Sequence, residues 1–170
     1  MIDEQVILDV LDRIRHRQFG KYKGTVVDVD EKTMRIKAKV PAVFGETPTG
    51  WCRACVPYAG KQVGIAFLPE VGSGVWIEFE GGELSMPIWS GCYWRDDEYP
   101  EDAKAAVKVI VTKSKQKIIL DDDAGTIVIT DDHKNKVTLD SSGITAEREG
   151  KKIAITTSKV SVNDTALEVT

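Results

Sequence analysis

Residues 117–170 read KIILDDDAGTIVITDDHKNKVTLDSSGITAEREGKKIAITTSKVSVNDTALEVT, and pairs of apolar residues separated by one position recur along this stretch. Asp, Gly, Asn, Ser or Lys fills most of the gaps, a pattern that predicts short strands closed by turns. Successive pairs begin only seven to ten residues apart. The pairs are Ile118/Leu120, Ile127/Ile129, Val137/Leu139, Ile144/Ala146, Ile153/Ile155, Val160/Val162 and Leu167/Val169.

A strand with two inward side chains buries too little surface to offset the entropy of ordering it, so these strands need neighbours. A solenoid formed by one chain would use roughly 18 to 30 residues per turn, more than the interval found here. We therefore predict an intertwined homotrimeric prism of β-strands, with a two-layer meander within one chain as the alternative. The residues assigned to the trimer core are Ile118, Leu120, Ile127, Ile129, Val137, Leu139, Ile144, Ile153, Ile155, Val160 and Val162. Leu167 and Val169 are assigned to the tip.

The composition of the chain changes sharply at Pro100. The chain has 170 residues, of which 42% are hydrophobic, enough for one ordinary domain plus an appendage. Every Trp, Tyr, Phe, Pro and Cys lies at or before Pro100, so the later part must have a narrow aliphatic core. We predict an N-terminal amphipathic helix at 1–20, a barrel at 21–95, a linker at 96–106 and the trimeric spike at 107–170.

Charge and hydropathy exclude some classes of partner. The net charge is −4, without the basic excess that binding to a phosphate backbone requires. No apolar run approaches the roughly 18 residues of a membrane span, and the N-terminus lacks the apolar core of a signal peptide. We therefore expect assembly in the cytoplasm, or export by a route other than a signal peptide.

The N-terminal segment has helical periodicity from Asp3 to about Arg17, with Asp3 available as the N-cap. Its apolar stripe consists of Ile7, Val10, Leu11 and Ile14. The stripe either packs on the chain's own barrel or docks on a partner, because an apolar stripe at a chain end can seek one.

From Tyr22 the apolar period changes to two, which indicates short strands. Five or six antiparallel strands with Gly at the bends predict a small closed barrel. Pro41–Gly50 is predicted to be a loop. The predicted strands are Tyr22–Asp30, Met34–Val40, Trp51–Val56, Val63–Leu68, Val75–Phe79 and Pro87–Tyr93, and Val107–Val111 begins the spike.

The sequence predicts no catalytic residue, cofactor site or metal site. Trp51-Cys52-Arg53-Ala54-Cys55 matches a thioredoxin-like motif, but the following Val-Pro prevents the helix start that would activate the first thiol. A zinc site lacks a fourth ligand beside Cys52, Cys55 and Cys92, so we predict that these cysteines are buried small hydrophobes. The Asp-rich turns lack the later bidentate Glu of a calcium loop.

Alternating Arg35, Lys37 and Lys39 raise an alternative function. Small barrels of this kind often bind single strands, so the chain could be an OB-fold module that binds single-stranded nucleic acid or glycan. The acidic total weighs against nucleic acid, and a solvated strand face explains the same pattern.

Several motifs of the barrel resemble those of one known family. They are Pro57–Gly60, Phe67–Gly72, Val75–Phe79, Gly81-Gly82 and Pro87–Gly91. They resemble the oligosaccharide/oligonucleotide-binding (OB) barrel of contractile-tail spike proteins, which comprise the phage baseplate assembly protein V family and the valine-glycine-repeat spikes of type VI secretion. Lys117–Asp121 and Lys136–Asp140, each followed by a Gly, are similar to the β-helical needle of that family.

The resemblance implies an all-β homotrimer with an N-terminal helix, an OB-fold antiparallel barrel and a C-terminal intertwined triple-stranded β-helix. It implies a structural, non-enzymatic spike, without cofactor or nucleic acid, in a virion tail baseplate or contractile injection particle. The barrels would join a baseplate hub, and the needle would puncture the target cell envelope. Ile7, Val10, Leu11 and Ile14 are the expected hub-docking residues. Because no histidine follows His133 to bind iron at the apex, either the needle closes unaided or a PAAR-like tip protein caps it.

Overall fold

The computed structural model describes residues 4–170, which form two compact units built mostly of β-strands. The first unit ends at Glu98 and the second begins at Tyr99. The mostly-β class predicted from the sequence is confirmed, whereas the finer division at residues 20, 95 and 106 stays a prediction. Across the described part of the chain, no helix has the length and apolar character needed to cross a membrane.

The first unit begins with helix α1 (Glu4–Arg15), whose predicted N-cap, Asp3, lies outside the described residues. The segment after α1 is attached to a turn of the barrel. The Gln18 amide donates to the Gly82 carbonyl at 2.9 Å. Arg17 donates from Nη1 to the Gly81 carbonyl at 2.9 Å and pairs through Nη2 with Glu83 at 2.9 Å. The base of the helix is therefore fixed on the barrel.

After α1 this unit contains β1 (Tyr22–Asp30), β2 (Arg35–Lys39), α2 (Pro41–Phe44), β3 (Arg53–Ala54), β4 (Ala59–Gly60), β5 (Val63–Gly64), β6 (Gly74–Phe79) and β7 (Pro87–Tyr93). The barrel is a five-stranded sheet in the order β2-β1-β6-β7-β3. Its pairings are antiparallel except for β3 with β7, which is parallel. The Cys52 amide donates to the Ile36 carbonyl at 2.8 Å, which joins the two ends of the sheet and curls it into a barrel.

The core of the barrel comes from the alternate residues that each strand turns inward, as the period of two predicts. The Thr49 hydroxyl is also buried, accepts from the Ala38 amide at 3.1 Å and lies 3.2 Å from the Cys52 sulfur. The buried apolar residues are Val26, Ile36, Ala38, Val40, Cys52, Val75, Ile77, Phe79 and Trp89.

Three local predictions for the barrel are wrong. The loop predicted at Pro41–Gly50 contains α2, because Pro at the first helical position preorganises a helical turn. The strand predicted at Trp51–Val56 shortens to β3 and runs parallel to its partner β7, so the barrel is not wholly antiparallel. The strand predicted at Val63–Leu68 is only β5, which pairs with β4 in a small separate hairpin.

The second unit is one eight-stranded sheet in which every strand pairs antiparallel with its neighbours in the chain. We call it the spike sheet. Loops of two to five residues connect its strands, the usual lengths for β-hairpins. The strands are β8 (Val107–Val111), β9 (Lys117–Asp121), β10 (Thr126–Thr130), β11 (Asn135–Asp140), β12 (Gly143–Arg148), β13 (Lys151–Thr156), β14 (Val160–Val162) and β15 (Leu167–Val169).

This topology is a meander within one chain, and the intertwined homotrimer predicted from the sequence stays a prediction. The eight strands form one continuous sheet. The backbone ladders of β8 to β15 run between successive strands of the same chain, and these strands therefore do not need other chains to complete their hydrogen bonding.

Candidate assembly surface

The predicted trimer-core residues all lie on one face of the spike sheet, in two rows that cross its strands. Directly opposed residues of an antiparallel pair point to the same face, so the register places them. We call this surface the apolar face. The first row is Leu120, Ile127, Leu139, Ile144, Ile155, Val160 and Val169. The second row is Ile110, Ile118, Ile129, Val137, Ala146, Ile153, Val162 and Leu167.

The apolar face is largely open to solvent in the single chain. Its large side chains are exposed by 36% at Leu139 to 62% at Val169, apart from Val137 and Val162, which are more covered. Soluble monomers rarely leave a continuous apolar surface of this extent uncovered. The face is thus a candidate assembly surface, and the trimer-core role of its residues stays a prediction.

The opposite face has a different composition. Its central row begins with aliphatic residues and continues with small or hydroxyl-bearing ones. Ser161 is 5% exposed, and the other members are half-buried. The row consists of Val109, Ile119, Val128, Thr138, Thr145, Ala154 and Ser161. The apolar face is therefore the more hydrophobic side along most of the sheet.

Ile110 belongs to the apolar face but was not predicted to do so. It lies opposite Ile118 and is 47% exposed. Both alternations of Val107–Val111 contain apolar residues, so the period of two could not identify the face. The available signal was the short separation in sequence between Ile110 and Ile118, because a short loop between two strands predicts a hairpin that sets them opposite each other.

Aspartates at the strand ends fix the turns of the spike sheet. The Asp140 carboxylate accepts the Ser142 amide at 2.7 Å and the Gly143 amide at 3.2 Å. The Ser142 hydroxyl also donates to Asp140, and this bond is the main cause that lowers the pKa of that carboxyl. Asp131 likewise accepts from His133 and Asn135, and its pKa is lowered chiefly by the Asn135 side chain. These carboxylates hold turns through backbone amides, as Asx turns do.

Gly143 fixes the approach of β12 to β13. Its φ is +141°, and a Cβ atom there would lie 2.0 Å from the Ile155 carbonyl oxygen. Any other residue would push the two strands apart next to the pair formed by Ile144 and Ile155. The glycine therefore maintains the register of the first row.

The predicted tip residues, Leu167 and Val169, lie in β15, which pairs only with β14 and forms one edge of the spike sheet. They are 59% and 62% exposed. The sheet therefore ends on an apolar pair beside an open row of backbone groups, a surface that proteins normally cover. The tip role itself stays a prediction.

The predicted hub-docking residues Ile7, Val10, Leu11 and Ile14 are all exposed on α1. Their exposed fractions lie between 44% and 58%, so the barrel does not cover this stripe. The alternative in which the helix packs on its own barrel is therefore not what the structure contains. The identity of a partner stays a prediction.

The cysteines and lysines of the barrel have local roles. Cys52 is buried, and burial raises the pKa of its thiol. The prediction of burial is wrong for Cys55 and Cys92, which are exposed. Lys37 pairs with Asp28 at 3.2 Å. Across residues 4–170 we find no cluster of His, Cys, Asp and Glu that could hold a metal ion.

Comparisons with known proteins identify both units. Residues 22–94 match the model of the type VI secretion system/phage-baseplate injector OB domain. Residues 107–168 match the phage baseplate V C-terminal trimerisation domain. No curated protein matches the chain. The two matched regions cover most of the sequence, and the alternative of a nucleic-acid- or glycan-binding module is not favoured. The chain therefore belongs to the phage baseplate V family, as a structural baseplate component that assembles with copies of itself.

Proposed function

We propose that this protein is the central spike of a contractile tail baseplate, a homotrimer that punctures the target envelope with its C-terminal sheets. The observation that carries the proposal is the apolar face, which extends across β9 to β15 with no cover in the single chain. A trimer would cover it if three spike sheets packed these faces against one another as the walls of a prism.

The energetics favour such an assembly. Completing the burial of a half-exposed Ile, Leu or Val contributes about 1 kcal/mol. The apolar face repeats this gain along two rows in every copy. The total exceeds the roughly 4–15 kcal/mol of freedom lost in each association step. Three faces also give a closed symmetric assembly, which leaves no apolar wall exposed.

The strand order suits a part that transmits force along its length. Backbone ladders join β8 to β15 in succession, so a load along this direction meets hydrogen bonds at every step. Packing of three sheets against a common core would resist buckling sideways. No enzymatic step is needed for this role, and we propose none.

We assign the remaining partners by position. The barrels form the collar on the baseplate hub, and the α1 helices with Ile7, Val10, Leu11 and Ile14 are the hub-docking elements. At the other end, Leu167 and Val169 close the needle or receive a separate PAAR-like tip protein. The assembled particle is a phage tail or a related injection particle, put together in the bacterial cytoplasm.

The mass in solution tests the assembly. Light scattering on the purified full chain at micromolar concentration should give three times the chain mass of 18.8 kDa. A monomer mass would overturn the proposal. Puncturing is tested in assembled particles by Leu167→Asp, which should leave sheath contraction intact and reduce leakage from target cells. Undiminished leakage from a contracting variant would contradict the role of this end.

A further inference from the structure

Helix α1 carries more apolar surface than a single docking stripe requires. Ile7, Val10 and Ile14 are 47%, 49% and 58% exposed. Val6 and Leu11, also exposed, flank this line on either side of the helix. Asp9, Asp12 and His16 occupy the opposite side, and the His16 ring pairs with Asp12. A helix with this distribution covers its apolar side against other helices or a deep groove.

The spacing of the apolar residues selects one kind of partner. With Ile7 and Ile14 at heptad position a, Val10 falls at d and Leu11 at e. Asp9 then falls at c and Asp12 at f, on the outside. Pairs favour Leu at d, whereas Ile at both a and d favours bundles of three or four helices, and Val10 supplies a β-branched residue in place of Leu at d. This preference fits the trimerisation domain at the other end of the chain.

The barrel sets where such a bundle must end. Arg17 would occupy the next d position after Ile14, but its guanidinium is engaged by the Gly81 carbonyl and Glu83. The adjacent Gln18 amide is held by Gly82. The apolar layers therefore stop at Ile14, and each helix leaves its barrel from an anchored base.

We infer that the α1 helices of three copies pack together as a parallel three-helix bundle with Ile7, Val10 and Ile14 at its centre. The inference rests on the homotrimer proposed above. It changes one assignment made there, because Ile7, Val10 and Ile14 pack on other copies of the helix and the hub contacts the outside of the bundle. A helix of 12 residues is marginal alone, but tethering within a trimer raises the local concentration of its partners to about the millimolar range. The baseplate hub would then meet one three-fold bundle, with Leu8 at an outer position available for contact.

Disulfide trapping in the full-length protein tests the bundle. In a Cys55→Ser/Cys92→Ser background, Ile14→Cys places one thiol per copy at the centre, and Asp12→Cys places it outside. Mild oxidation with diamide should link two of the three Ile14→Cys copies and leave Asp12→Cys largely unlinked. Equal linking at both positions, or none at Ile14→Cys in a protein of trimer mass, would refute the bundle.

A second variant separates failure of the bundle from failure of the trimer. Ile7→Asp/Ile14→Asp should keep the trimer mass, because the spike sheets still associate, and should lose helical ellipticity at 222 nm relative to the parent. Unchanged ellipticity would mean that the helices do not depend on one another. That result would refute the bundle and leave the proposed trimer standing. A monomer mass for the parent protein would overturn the proposed trimer and the bundle together.

Discussion

Ile144 offers a sharp test of the apolar face, because its neighbour Thr145 lies on the other side of the same strand. Ile144 opposes Leu139 and Ile155 in the first row, whereas Thr145 opposes Thr138 and Ala154. Ile144→Asp and Thr145→Asp thus place the same carboxylate at adjacent positions of β12 on opposite faces. Differences between the two variants report on the face and not on strand propensity.

The expected magnitudes differ widely. Ile144 is 43% exposed in the single chain, and the trimer would bury this exposed part. Losing that burial removes about 1 kcal/mol of stabilisation per copy. An unpaired carboxylate in an apolar core costs several kcal/mol more after relaxation. Since every copy carries the change, a trimer loses on the order of 10 kcal/mol, comparable to the whole stability of about 5–15 kcal/mol of an ordinary domain.

Light scattering and thermal unfolding should therefore separate the variants. We expect Ile144→Asp to lose the trimer mass at micromolar concentration and to unfold at a much lower temperature. Thr145→Asp should keep both properties close to those of the parent. Equal behaviour of the two variants would refute the assignment of the apolar face to the interior.

Three other predictions concern turns and thiols. The pKa of Asp140 in the folded protein is lowered from its ordinary value of 3.8, mainly by the Ser142 hydroxyl. The ionised carboxylate therefore stabilises the fold above the pKa of the unfolded chain, and this stabilisation is lost as pH falls through the pKa of the folded protein. The melting temperature should thus fall as the pH is lowered below about 4, and it should fall less steeply in Asp140→Asn. Parallel curves of melting temperature against pH for the two proteins would contradict this role. Gly143→Ala should destabilise more than Gly125→Ala, whose left-handed φ alone costs about 1–2 kcal/mol, and calorimetry of both variants would expose the reverse order. A thiol reagent should modify the two exposed cysteines in the native protein and reach Cys52 only on unfolding; immediate modification of all three would contradict its burial.

The faces of the spike sheet were predictable because strand period and turn chemistry agree there. From β11 onward only one alternation of each short strand contains Ile, Leu or Val, whereas β9 and β10 carry two such residues on one face and one on the other. The polar turns leave little freedom in register. Val107–Val111 departs from this pattern because its three valines lie on the alternation opposite Ile110, so Ile110 was missed. The pairing within one chain was also available from the loop lengths, since loops of two to five residues make hairpins.

The barrel was less predictable because tertiary contacts override local pattern there. Residues 53–64 contain three two-residue strands, too short for a period to register. The parallel pairing of β3 with β7 depends on how the sheet curls, which no local signal reports.

The order of the spike sheet makes its length adjustable. Because each strand bonds only to its neighbours in the chain, one hairpin could be removed as a cassette without altering the direction of the remaining strands. Deleting β10 and β11 would bring Leu120 opposite Ile144 and Ile118 opposite Ala146, which preserves both rows. Strands lie about 4.8 Å apart, so each hairpin represents a step of about 10 Å. Evolution or design can therefore set the length of the spike sheet through the number of its hairpins.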